Sequence, residues 1–280
     1  PLPPSSAASD VYKRQNQIIN YQIDSYRKIR NTLRFLLGNL NNFNKQNLVD
    51  PEEMPELEKY LLTRISSLNE KLKELVSKHD YHAIYTALLN FCTLELSAFY
   101  FDIRKDSLYC DDIKSIKRRS TSTCLHIIFE FLTKWLSPIV SFTCEEAWKS
   151  RSYSNEESIL LQNVKDDEFT YKDISLEKVF EELKRVRKSV TSALELKRNE
   201  KLIGSSLQAK VILFLSKDTQ KIIADLDLAE MCIVSNVETH DISNRSKESI
   251  SIEDEEIYVE IKLADGCLLY TSPSPRDTPQ

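Results

Sequence analysis

The chain has 280 residues, enough for one large domain or two ordinary domains. With 29% charged residues and only 3 glycines, its composition favours helices and argues against an all-β sandwich or a glycine-rich phosphate loop. The net charge is −5, so any binding to nucleic acid must come from local basic patches and not from the overall field.

The two ends of the chain differ in character from the sequence between them. Residues 1–15 and 267–280 are rich in proline and small residues, and both resemble translated sequencing-adaptor read-through. We therefore exclude them from fold prediction. We expect residues 16–266 to be an internal fragment of a longer protein, and we do not treat Cys267 as a metal ligand.

Residues 16–150 are predicted to form an antiparallel helical bundle, because the connections between their amphipathic helices are short. Residues 151–202 are predicted to begin as a polar linker, with an extended piece at 158–162. A long helix follows, which is predicted to complete the bundle and to end at Gly204. Apolar residues recur at helical spacing in these stretches of the bundle: 16–43, 55–78, 81–109, 115–136 and 138–150.

The spacing of the apolar residues changes after residue 202, and this change predicts a small α+β unit at 203–266. Short β-branched and aromatic runs predict strands at 209–215, 231–234 and 257–263. A short helix is predicted at 219–226 and a polar loop at 241–256. The predicted fold class is therefore mainly α, with an antiparallel helical bundle followed by a small α+β extension.

The first predicted helix carries the most informative pattern. Its apolar side chains repeat at i, i+3, i+4 and i+7 from Tyr26 to Leu40, and three arginines repeat the spacing one residue on: Arg27, Arg30 and Arg34. One residue is about 100° of helical rotation, so the arginines flank the buried stripe. Their stems could cover the core edge, or their planar cations could face phosphate, and the pattern leaves both interpretations open.

Two further groups of cations are candidates for binding nucleic acid. One group lies around the start of the helix at 115–136, and the other lies on the long late helix: Lys114, Lys117, Arg118 and Arg119, then Lys184, Arg187 and Lys188. A solvated helix face is the alternative interpretation of each. The aromatic residues that could stack on splayed bases are Tyr81, Tyr85, Phe101 and Tyr109, although most aromatics at helical spacing are core residues.

No catalytic residue and no metal site is predicted. Glu145 and Glu146 are adjacent, so on a helix they diverge by about 100° and cannot form a paired acid/base site. His79 and His82 have no third ligand at a matching spacing, and no two cysteines stand in a C-x-x-C spacing. No apolar run approaches the roughly 18 residues that a membrane span needs, so no membrane partner is predicted.

The stretch of residues 26–40 resembles the opening of the anticodon-binding helical domain of isoleucyl-tRNA synthetases of the bacterial and organellar type: Tyr-Arg-Lys-Ile-Arg-Asn-Thr-Leu-Arg-Phe-Leu-Leu-Gly-Asn-Leu. The likeness continues in the same order and covers nearly all of residues 16–266. The sequence of residues 30–40 resembles the isoleucyl family more than the valyl family. The later stretches that resemble the family are 82–102, 105–109, 118–120, 135–148 and 198–207.

The resemblance implies a parent enzyme that attaches isoleucine to its tRNA with ATP and Mg²⁺ and that carries, in bacterial members, a zinc module just past Gly266. No motif of the catalytic or editing domains occurs in this chain, so the fragment is expected to be inactive by itself and to hold no cofactor. The implied partner is the anticodon stem-loop of isoleucine tRNA, bound by a monomer in the bacterial cytoplasm, in mitochondria or in another organelle. The alternatives are a valyl-tRNA synthetase fragment and a helical protein-interaction module with no RNA role, because amphipathic bundles are generic.

Overall fold

The computed structural model describes residues 6–41, 43–152, 157–162, 171–246, 249–251 and 256–264, with side chains described from residue 17 onward. The chain divides into two compact units, Pro1–Asp173 and Ile174–Gln280. Our expectations for residues 267–280, including Cys267, fall outside the described residues. The predicted fold class, a helical bundle followed by a small α+β extension, is confirmed.

The first unit is the helical bundle. Residues Phe91–Tyr100 form a π-helix between α3 and α4, so Tyr81–Cys110 is one continuous helical stretch. The helices are α1 (Ser6–Asn39), α2 (Glu56–Ser77), α3 (Tyr81–Asn90), α4 (Phe101–Cys110), α5 (Ile116–Leu136) and α6 (Ser141–Lys149). The first of them begins inside the segment 1–15 that we excluded from fold prediction.

The starts of α3 and α5 agree with the helical stretches predicted at 81–109 and 115–136, and each start has a local cap. The Asp80 carboxylate accepts a hydrogen bond from the amide of Ala83 at 3.0 Å, and the Ser115 hydroxyl accepts one from the amide of Arg118 at 3.2 Å. Each bond satisfies an amide that has no partner within its helix. These caps fix the starts of α3 and α5.

Other boundaries differ from the prediction. Pro138 does not start α6, because the amides of Ile139 and Val140 both donate to the Leu136 carbonyl at 2.9 Å and close the end of α5 first. A 3₁₀ turn, Ile159–Leu161, replaces the extended piece predicted at 158–162. A further 3₁₀ turn at Pro51–Glu53 precedes α2.

The core of the bundle contains a buried ion pair. The Arg104 Nε and Nη2 atoms donate to Glu58 Oε1 and Oε2, both at 2.7 Å, and the two side chains are 1% and 0% exposed. The hydroxyls of Tyr100 and Thr121 also donate to Glu58 Oε1, at 3.1 and 3.2 Å. Burial and the negative charge of Glu58 raise the pKa of Tyr100 well above its usual value, so its hydroxyl stays a donor. One carboxylate therefore joins α2, the π-helix, α4 and α5.

Among the described residues, the stretch Tyr81–Cys110 is long and apolar enough to cross a membrane by length and composition alone. Half of its most apolar window is buried inside the protein, and the stretch also contains the buried, ion-paired Arg104. Both features are typical of the central helix of a bundle.

The second unit packs one long helix on a three-stranded sheet. The strand order is β2-β1-β3, with β1 parallel to β2 and antiparallel to β3. The elements are α7 (Ile174–Asn199), β1 (Ala209–Leu215), α8 (Lys217–Ile222), α9 (Leu228–Cys232), β2 (Asn236–Asp241) and β3 (Tyr258–Leu263).

The long helix α7 belongs to this second unit, whereas the sequence led us to expect that it completes the bundle. Its seam residues Val186, Val190 and Ala193 share a core with Val211 of β1 and Val259 of β3. A small sheet has an apolar face that must be covered, and α7 supplies the cover. The domain boundaries that we placed at residues 150 and 202 stay predictions.

The end of α7 also differs from the prediction. Lys201 adopts the left-handed conformation, with φ of 61°, and the amide of Leu202 donates to the Lys197 carbonyl at 3.0 Å. This is the usual hydrogen bond of a helix that ends in a left-handed residue. Lys201 therefore ends the helix, and the Gly204 amide instead donates to Gln208 Oε1 at 2.7 Å.

One predicted strand is wrong, and one observed strand was not predicted. Residues 231–234 close α9, whose start is capped by Asp227, and Ile233 then turns the chain with φ of 56°. The second strand of the sheet is Asn236–Asp241, an edge strand whose residues are mostly polar. Edge strands commonly carry polar residues, so hydrophobic periodicity does not detect them.

Removal of one partner from the buried ion pair should destabilise the first unit strongly. Glu58→Gln leaves Arg104 charged and incompletely paired in the core, and we expect the free energy of unfolding to fall by about 3 to 5 kcal/mol in urea denaturation. Glu74→Gln is the matched control, because Glu74 pairs with Lys78 on the surface and its loss should leave stability nearly unchanged. Equal stabilities of the two variants would show that the buried pair does not organise the bundle.

His126 should make stability depend on pH. The ring stacks on Phe43, and burial, helped by the nearby Lys45, Arg151 and Lys134, lowers the pKa of His126 to about 4. In the unfolded chain the histidine has a pKa of about 6.5, so the unfolded state binds a proton at a higher pH than the folded state does. The free energy of unfolding is therefore highest above pH 6.5 and falls as the pH drops towards 4.

Between pH 7.5 and pH 5 we expect this histidine to remove about 2 kcal/mol from the free energy of unfolding. Urea denaturation at both pH values, for the native chain and for His126→Phe, isolates the effect from that of the carboxylates. The variant should lose about 2 kcal/mol less than the native chain, and the same loss in both proteins would contradict the assignment.

Candidate functional site

The three predicted arginines of α1 have different partners. Arg27 Nη1 lies 3.5 Å from Asp24 Oδ1 in an exposed pair. Arg30 forms a fork with Glu146 of α6, with Nη1–Oε2 at 3.0 Å and Nη2–Oε1 at 3.4 Å. This contact raises the pKa of Arg30 and lowers the pKa of Glu146. Arg34 is exposed and makes no hydrogen bond or ion pair with another described residue, so its charge is available to a ligand.

The four cations around the start of α5 also have different roles. Arg118 Nη1 donates to the Asp111 carbonyl at 2.5 Å and so braces the turn between α4 and α5. Arg119 Nη2 lies 3.5 Å from the Asn47 carbonyl, and its buried Nε has no hydrogen-bond partner among the described residues. The side chain of Lys114 is exposed, and that of Lys117 is half-buried. Arg119 is therefore the cation of this group with an unsatisfied donor.

The remaining three predicted cations, Lys184, Arg187 and Lys188, lie on α7 in the second unit. Arg187 is half-buried near Cys232, and its positive charge favours the thiolate. Burial outweighs that attraction and raises the pKa of Cys232 to about 12. The Arg187 side chain thus takes part in packing, and the cysteine is an inert core residue.

Three cavities on the first unit meet at Gly38, near the end of α1. Two of them, of about 230 Å³ and 470 Å³, share Asn39 and the exposed Tyr109, and the third, of about 450 Å³, lies between α1 and α6. Arg34 lines two of the three, and Arg118 and Arg119 line the smallest. We call this region the Gly38 surface. It brings one predicted arginine of α1 together with two predicted arginines of α5.

The structure separates the candidate aromatic residues. Phe101 is buried and stacks on Phe35 with ring centroids 4.2 Å apart, so it is a core residue and cannot stack on a base. Tyr85 is half-buried. Tyr81 and Tyr109 are each 65% exposed, and Tyr109 lies on the Gly38 surface beside the arginines.

The residues that could suggest catalysis have structural roles. Glu145 Oε2 accepts hydrogen bonds from the Ser158 hydroxyl at 2.9 Å and the Ile159 amide at 3.0 Å. Glu146 faces the other way, towards Arg30, so the two carboxylates diverge as the sequence predicts. His79 contacts the Tyr81 hydroxyl at 3.5 Å. Within the described ranges, no group of three or more His, Cys, Asp or Glu residues is placed to hold a metal ion.

Sequence reasoning missed Gly38 and the asparagines that surround it. The run Asn41–Asn44 predicts a helix end, but it gives no sign that the turn forms a cavity wall. In the structure Asn44 caps a 3₁₀ turn by accepting from the Gln46 amide at 2.9 Å, and the Asn47 carbonyl faces Arg119. The isolated Gly38 inside a helical pattern was the available signal.

The chain is similar in sequence to known proteins of one family. Residues 58–213 match the family described as the anticodon-binding domain of tRNA ligase. The chain is 45% identical over 239 residues to an isoleucine–tRNA ligase of Pelagibacter ubique and 40% identical over 250 residues to one of Agrobacterium fabrum. These alignments cover 84% and 89% of this chain, and 26% of each relative.

A further relative, the isoleucine–tRNA ligase of Bartonella henselae, is 42% identical over 220 residues, which is 78% of this chain and 22% of the relative. The chain thus spans about a quarter of the length of the curated relatives it matches. The names of these relatives do not favour the valyl alternative.

Proposed function

The chain belongs to the family of anticodon-binding domains of tRNA ligases, and we propose that it binds the anticodon stem-loop of isoleucine tRNA as one part of an isoleucine–tRNA ligase. The observation that carries the proposal is the Gly38 surface. There Arg34, which forms no ion pair with the residues that the structure describes, lies with Arg118, Arg119 and the exposed Tyr109 around adjoining cavities.

This surface has the chemistry that RNA recognition needs. Guanidinium groups bind phosphate through planar, paired donors, and such contacts set the position of the nucleic acid. An exposed aromatic ring can stack on an unpaired base of a loop, which is how most proteins recognise single-stranded RNA. A chain of net charge −5 can bind RNA in this way because the positive charge is concentrated locally.

The other predicted cations are less favoured as direct contacts. Arg27 and Arg30 already pair with carboxylates, so a phosphate would have to displace Asp24 or Glu146. Lys114 and Lys117 adjoin Arg118 and can add to the attraction at short range. Lys184, Arg187 and Lys188 of α7 stay candidates for a separate contact on the second unit.

We propose that ATP and Mg²⁺ serve the whole enzyme outside the region that this chain represents, as the relatives' function as tRNA ligases implies. This chain positions the tRNA, because binding of the anticodon end orients the rest of the molecule. We also propose that the enzyme acts as a monomer, in the cytoplasm of a bacterium or in an organelle. The relatives named isoleucine–tRNA ligase come from bacteria, which supports the bacterial type.

Loss of the Gly38-surface arginines should weaken RNA binding in a way that depends on salt. We expect the double variant Arg34→Gln, Arg119→Gln to bind the anticodon stem-loop of isoleucine tRNA about tenfold more weakly at low salt. The slope of log affinity against log salt concentration should fall by about 2, one for each lost phosphate contact. Fluorescence anisotropy with a labelled stem-loop measures both quantities.

Lys78→Gln is the matched control, because Lys78 is an exposed cation held by Glu74 at 2.5 Å and lies outside the predicted site. Its affinity and salt slope should equal those of the native chain. Thermal unfolding of all variants separates lost binding from lost structure. Binding of the stem-loop that does not respond to salt, or no binding at low salt, would count against the proposed function.

A further inference from the structure

Gly38 is a residue that the fold does not require. It lies on the exposed side of α1, and its φ is outside the left-handed region that favours glycine. The helix continues past it, because the Leu40 amide donates to the Leu36 carbonyl at 3.0 Å. Apart from its chain neighbours and the backbone of its own helix, a Cβ atom built on Gly38 would meet no heavy atom within 4 Å. Alanine would fit here and would stabilise the helix, so packing does not explain the glycine.

The position of Gly38 in the cavities supplies an explanation. It is a lining residue of all three cavities of the Gly38 surface, so a passage that links them would run over this residue. Arg34 precedes it by four residues and therefore lies on the same helix face. On the side of α4 and α5 the surface continues to Tyr109 and Arg119. A side chain at position 38 would project into this passage.

The charges along the passage favour a polyanion. One acidic residue, Glu146, lines the cavities among the described residues, and its charge is already paired with Arg30. Apart from Arg30, whose charge is offset by that pair, the cations there are Arg34, Arg118 and Arg119. Phosphate groups match these donors, and the exposed Tyr109 ring adds a stacking surface that a nucleobase uses and an acidic peptide does not.

We propose that Gly38 is a binding residue that leaves the α1 backbone bare so that a single-stranded RNA segment can cross the helix. The phosphates of that segment contact Arg34 before the crossing and Arg119 after it, and an unstacked base lies on Tyr109. This inference rests on the proposed function and adds to it the path of the RNA. It also explains why a glycine that weakens the helix stands at this position.

The test is to fill the passage without changing its charge. Gly38→Trp should bind the labelled anticodon stem-loop of isoleucine tRNA at least about tenfold more weakly, because the indole occupies the path of the strand. Gly38→Ala should raise the melting temperature and weaken binding less, since a methyl group obstructs little. Gln22→Trp, on an exposed part of the same helix outside the three cavities, is the control and should change affinity less than about twofold.

The outcomes separate this inference from the proposed function. If Gly38→Trp binds RNA like the native chain while Arg34→Gln, Arg119→Gln loses binding, RNA does not cross α1 at Gly38, although the proposed function stands. If the native chain does not bind the stem-loop at low salt, both the proposed function and the crossing are overturned. If polyglutamate competes for the site as well as unlabelled stem-loop does, the passage takes an acidic peptide and the inference is wrong.

Discussion

The bundle depends on one buried carboxylate. Glu58 of α2 accepts hydrogen bonds from Arg104 of α4, Tyr100 of the π-helix and Thr121 of α5, all in the core. A buried ion pair adds little net stability over apolar packing, but an incomplete one is costly, so it enforces one arrangement of the helices. That arrangement positions the candidate site, because Tyr109 follows Arg104 on α4 and Arg119 precedes Thr121 on α5. The helices α4 and α5 therefore contribute both to the buried hydrogen bonds of Glu58 and to the Gly38 surface.

The distribution of ion pairs decides which cations can act. On α1, the guanidinium of Arg30 pairs with Glu146 of α6 in an exposed contact, whereas Arg34, one helical turn later, has no such contact in the described part of the chain. Near the start of α5, Arg118 braces the preceding turn, whereas Arg119 Nη2 makes only a long contact of 3.5 Å with the Asn47 carbonyl. Some arginines of the bundle therefore make structural contacts, and others are available to a ligand. Neighbouring residues of one type can in this way have opposite roles.

Periodicity predicted most of the bundle, including the starts of α3 and α5, because the spacing of apolar residues is a local signal. The likeness of residues 26–40 to a known family pointed to the same family that the comparisons show. The Glu58–Arg104 pair could not be predicted, since its partners are 46 residues apart and no local pattern links them. Likewise, the polar edge strand β2 depends on tertiary contacts, as does the finding that Arg34 pairs with no other residue in the described ranges. Phe101 shows the same limit, because only packing against Phe35 reveals it as a core residue.

The most direct measurement of where RNA binds is photo-crosslinking of the full chain to an isoleucine tRNA stem-loop with 4-thiouridine placed in the anticodon loop. Mass spectrometry of the digested complex then identifies the crosslinked peptides. Our account predicts crosslinks in two segments, residues 34–39 and 109–119, which border the Gly38 surface. Crosslinks confined to the second unit, or no more crosslinking than to a stem-loop of scrambled loop sequence, would contradict it.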